Sequence, residues 1–110
     1  MNMKLEVERI LELREEELLS LLGNELSLNL SFDDTTESIR QAKRWLAINN
    51  NDLQKLICKN DHVQQAVDNS DVMLCMAIID AITGFLTGIA AATVSVLIIK
   101  RGFSIFCKEY

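Results

Sequence analysis

VMLCMAIIDAITGFLTGIAAATVSVLII, residues 72–99, is the stretch whose reading decides the fold. It carries one charge, Asp80, in 28 residues. As a single helix it would extend roughly 42 Å, at about 1.5 Å per residue. That length suits the central helix of a small bundle or a tilted crossing of a bilayer. On a helical wheel of about 100° per residue, Asp80 shares a face with Gly84, Thr87, Gly88, Ala91 and Ser95. Ile78, Ile82, Phe85, Leu86, Ile89, Val96 and Leu97 fill most of the remainder. Gly84, Gly88 and Ala92 recur at four-residue steps, a spacing that lets a second backbone approach closely. The six-residue stripe therefore reads as a packing and assembly face. What it packs against is the chain's own bundle, a second copy or a helix in lipid.

Downstream, Lys100-Arg101-Gly102 breaks the run and FSIFCKEY follows. Phe103, Ile105 and Phe106 suit a short helix. The alternative is an α+β fold with a hairpin over residues 93–107, because TVSVLII is rich in β-branched residues and KRG can form the loop. A second alternative is a single membrane span at about residues 81–99, uncharged and closed by Lys100-Arg101.

Upstream, residues 3–22 read as one amphipathic helix with Val7, Ile10, Leu11, Leu18, Leu21 and Leu22 on its apolar side. Gly23 stands where a helix commonly ends. In ELSLNLSF, residues 25–32, Leu26, Leu28, Leu30 and Phe32 alternate with polar residues, the period of a half-buried strand or of an extended connector. Asp34 and Glu37 have capping-box spacing for a helix running to about Ile48, where Asn49-Asn50-Asn51 should end it. Asp52 starts a short helix to Lys59, Asn60 or Asp61 starts another through Val67, and Asp68-Asn69-Ser70-Asp71 caps the long apolar run.

The acidic portion, residues 1–71, holds 8 basic and 14 acidic side chains, and residues 72–110 hold 3 and 2. The two portions read as one domain. A formal charge of −5 argues against nucleic acid as partner. No Pro and 4 Gly favour helices. Three cysteines, Cys58, Cys75 and Cys107, with no CxxC point away from a disulfide framework and toward a reducing, cytoplasmic setting. Cys58 and His62, four apart, are two ligands where zinc needs four, and no metal or other cofactor is expected. No phosphate-binding glycine motif occurs. Arg40, Lys43 and Arg44 beside Trp45 read as a solvated face with Trp45 in the core.

The fold expected is mainly α: a small helical bundle wrapped on one long hydrophobic C-terminal helix, with a short strand at residues 26–32 as an added element. The function expected is non-catalytic: a protein–protein interaction or oligomerisation module, adaptor or accessory in kind. It would use residues 72–99 and the 26–32 strand, with a second copy as the leading partner. The alternative function is a single-span or membrane-perturbing protein under the control of a soluble N-terminal domain.

Overall fold

The computed structural model describes residues 4–26 and 35–108. Every regular element among them is a helix. In chain order these are α1 (Lys4–Leu11), α2 (Glu15–Leu26), α3 (Thr35–Ile57), α4 (Asp61–Ala66), α5 (Asp71–Ile82), α6 (Gly88–Arg101) and α7 (Phe103–Cys107).

The helix at the centre is α6. Its residues from Ala90 to Ile98 are buried without interruption, so it has no solvated face over that length. Small side chains, Ala90 through Ala92, let α1, α2 and α5 close on it. Its two buried hydroxyls are satisfied within the helix. Thr93 Oγ1 donates to Ile89 O at 2.7 Å and Ser95 Oγ to Ala91 O at 2.8 Å. Unpaired, each would cost about 1–3 kcal/mol.

The expected 72–99 helix is two helices folded back on each other. Residues 83–87 join α5 to α6, and they hold Gly84 and two threonines, all poor helix formers; the wheel had placed Gly84 and Thr87 on a packing stripe. Phe85 N–H and Leu86 N–H both bond Ile82 O at 2.8 Å, closing α5. Gly88 then starts α6 at φ +64, a conformation glycine adopts without a Cβ clash. Trp45 of α3 meets Phe85 with ring centroids 5.9 Å apart, which holds the joint against α3.

Three other expectations change. The 3–22 helix breaks between α1 and α2, because Glu17 Oε1 accepts from Arg14 N–H at 3.0 Å, half of a capping box that starts a new helix. Gly23 does not end α2. It lies buried within it, where a Cβ would stand 2.1 Å from Ser38 O of α3. Beside that crossing Ser38 Oγ donates to Asn24 Oδ1 at 2.8 Å. Helix α3 runs unbroken through Asn49-Asn50-Asn51. Asn49 Nδ2 donates to Trp45 O at 2.9 Å, so the competing amide is used inside the helix, and Leu53 and Ile57 beyond it are buried.

Leu26 ends α2 and packs against the core, while Leu28, Leu30 and Phe32 lie outside the described residues. The 93–107 hairpin is instead α6 and α7. Gly102, at φ +107, ends α6 by donating its N–H to Ile98 O and Ile99 O at 3.0 and 3.1 Å. Contrary to the cysteine count, Cys58 after α3 is disulfide-bonded to Cys107 of α7, 49 residues on. Gln54 Nε2 donates to Phe106 O at 2.8 Å next to it. The pair was invisible in the spacing because Gly102 reverses the chain and carries α7 back to the end of α3.

Candidate interaction surface

Local capping starts both α4 and α5. Asn60 Oδ1 accepts from Val63 N–H at 3.0 Å to start α4, and Ser70 Oγ accepts from Met73 N–H at 3.2 Å to start α5. Ser70 lies within Asp68-Asn69-Ser70-Asp71, the stretch expected from the sequence to cap the run. Between the two helices lies an open groove of about 470 Å³. Its α5 wall is formed by Met73, Met76, Ala77, Asp80 and Ala81, and His62 stands on the α4 side. Met73 is 56% exposed. The wall is one helical face: Cys75, Ile78 and Ile82 point the other way and are buried.

The electrostatics of this wall are one-signed. No Lys or Arg occurs between Lys59 and Lys100, and the charges in that interval are Asp61, Asp68, Asp71 and Asp80. Among the described residues these four make no ion pair; the pairs there are Arg14–Glu17, Arg40–Glu37 and Arg101–Glu15.

The outward face of α3 is cationic in excess, although Glu37 and the exposed Asp52 also lie on this helix. Arg40, Arg44, Ile48 and Lys55 are all exposed, with Ile48 at 69%. Arg40 pairs with Glu37, and this bond, with a second from Gln41 Nε2, holds the Glu37 carboxyl below its usual range. Trp45, expected in the core, is half-buried at the edge of this face.

The six residues expected to form one stripe are dispersed. Asp80 and Gly84 are exposed on and just beyond α5, Thr87 and Gly88 are exposed at the entry to α6, and Ala91 and Ser95 are buried inside it. Only Asp80 lines the groove. Cys58 and His62 do not share a helix face: Cys58 is held in the disulfide, and His62 is on α4. Among the described residues no three His, Cys, Asp or Glu side chains gather as metal ligands. The free Cys75 is buried, and burial, with Asp71 nearby, pushes its thiol up to about 12. It is therefore a protonated thiol at neutral pH, without the thiolate that nucleophilic chemistry requires.

The methionine face was missed because Met73 and Met76 sat inside an apolar run in which the wheel singled out only the Asp80 stripe. Their i, i+3 spacing and the lack of any cation near them were the available signals. Among the described residues no helix is long and apolar enough to cross a membrane, and the interval 81–99 is divided by the α5–α6 joint. Comparison with family models, with curated proteins and with solved structures finds no match.

Proposed function

We propose that this chain is a non-catalytic protein–protein interaction module that assembles with a second copy of itself. The observation that supports this reading is the division of the apolar run. Helix α6 spends its apolar surface on the core, whereas α5 keeps Met73, Met76 and Ala77 on an open groove. Methionine is unbranched and polarizable, and suits a surface that adapts to a partner. Covering such a face gains about 25 cal/mol per Å² gross, before the cost of association.

Size-exclusion chromatography with light scattering over a range of concentrations tests the reading. A mass that rises above the monomer is the expected result. A monomer at every concentration overturns it.

A further inference from the structure

We propose that the occupant of the α4–α5 groove is the outward face of α3 from a second copy of this chain. The proposal rests on the interaction-module reading and names the surface through which it works.

The two faces are complementary in charge and in shape. The groove wall is apolar with Asp80 set among Met73, Met76 and Ala77, and the whole interval from Asn60 to Ile99 carries carboxylates without a cation. At about 100° per residue, Arg44, Ile48 and Lys55 of α3 fall within about 40° of one another. Ile48 is 69% exposed, with Arg44 one turn before it, the exposed Asp52 one turn after it and Lys55 beyond. Arg44 and Lys55 make no ion pair among the described residues. Docking places Ile48 over Met73 and Met76, and Arg44 against Asp80. An amphipathic helix laid in an apolar groove with charges at its edge is a common recognition mode.

Like faces do this less well: two α3 faces would oppose surfaces that are cationic in excess, with Arg40, Arg44 and Lys55 against Glu37 and Asp52, and two α5 faces would set Asp80 against Asp80. The contact therefore joins unlike surfaces, α3 of one copy to α5 of the other. The overall charge of −5 opposes association at low salt, so the local opposite charges must supply orientation as well as attraction.

The test is a charge swap, read by light scattering and by analytical ultracentrifugation. Arg44→Glu alone sets a carboxylate against Asp80 and weakens association by about tenfold or more. Asp80→Arg alone sets a cation against Arg44 and does the same. Mixed in equal amounts, the two variants restore association, because both contacts between unlike chains are then attractive while both between like chains are repulsive. Both residues are exposed, and unchanged helical circular dichroism shows that each variant is folded. Ile48→Ser should also weaken assembly, and the mixture does not rescue it. Wild-type chain that assembles but is indifferent to Arg44→Glu, Asp80→Arg and Ile48→Ser overturns this interface and leaves the module reading standing. Wild-type monomer throughout overturns both.

Discussion

Helices α5 and α6 come from one apolar run, yet they serve opposite purposes. Helix α6 is buried all round from Ala90 to Ile98, and helix α5 is buried on one side only, with Met73 more than half exposed on the other. Hydropathy does not separate them. What separates them is side-chain size and position in the topology. The α6 residues Ala90, Ala91, Ala92 and Ser95 are small enough for α1, α2 and α5 to crowd around one axis. The α5 residues are larger and lie at the edge, beside the short α4. A greasy stretch in a small domain is thus not one thing: half of it can be the core and half a surface.

The comparison breaks most easily with a charge. Val94→Asp, in α6, places an unpaired carboxylate where the side chain is fully buried, and the expected loss of about 4–5 kcal/mol approaches the whole stability of a small domain. Met73→Asp, in α5, should cost about 0.5 kcal/mol or less, because the site is already wet. Urea denaturation of the two variants decides it. Equal losses would mean that α5 and α6 are equally interior.

The ends of the two helices differ as well. Helix α6 leads through Gly102 into α7, which the Cys58–Cys107 disulfide ties to the end of α3. Cys107→Ser should cost about 2–4 kcal/mol through the freer unfolded chain. Thermal melting with and without reductant checks it: reductant should destabilise the wild type and leave the variant unchanged.

Glycines sharpen the same contrast. Gly23→Ala drives a Cβ into Ser38 O, which is backbone and cannot swing aside, and about 1–3 kcal/mol is the expected loss after the small gain in helix propensity. At the joint, Gly88→Ala costs about 1 kcal/mol for its positive φ. Gly84→Ala meets open space and should be neutral or gain about 0.5 kcal/mol. Chemical denaturation of the three ranks them. A costly Gly84→Ala would return that residue to a packing role.

Much of the architecture was legible before the coordinates. The helical class, the apolar face of α1 and α2, the start of α4 at Asn60 or Asp61 and a cap for α5 within Asp68-Asn69-Ser70-Asp71 all follow from propensity, periodicity and capping chemistry. The long-range features were not legible. Gly84, Thr87 and Gly88 satisfy a wheel and a turn equally well, and only the packing of α5 on α6 chooses the turn. Gly23 looks like a helix end unless one knows that α3 crosses there. Asn49-Asn50-Asn51 reads as a stop unless Leu53 and Ile57 are known to be buried. Of the candidate surface, Asp80 was found for a geometric reason that proved local, and the Met73 face was hidden by its own hydrophobicity.

Within α5 itself the inner side can be titrated. Cys75 is buried and its thiol is pushed up to about 12, against about 8.5 for an unfolded cysteine. Between those values the folded chain keeps a proton that the unfolded chain has lost. The contribution is therefore present below about pH 8.5 and is lost as pH rises toward 12. Cys75→Ala should make the alkaline decline of stability shallower, as measured by urea midpoints at pH 8, 9 and 10 (about one-unit steps across the onset of that window). Parallel declines in the two proteins would show that the thiol is not held protonated.

The smallest expected difference lies at the first turns. Ser70 Oγ accepts from Met73 N–H at 3.2 Å and satisfies one of the free donors at the start of α5. Thr87 holds the equivalent place before α6, with extended backbone, yet makes no side-chain capping bond. Ser70→Ala should therefore cost about 1 kcal/mol, the common value for a lost cap. Thr87→Ala should cost only a few tenths of that, because no bond is removed and the burial of Ala90 to Ile98 holds α6 whatever its first turn does. Equilibrium denaturation resolves such a gap when the two variants are measured beside the wild type. If Thr87→Ala proved the costlier, α6 would depend on its N-terminal cap and not on its burial, and the distinction between an inner helix held by packing and an outer helix held by local bonds would fail.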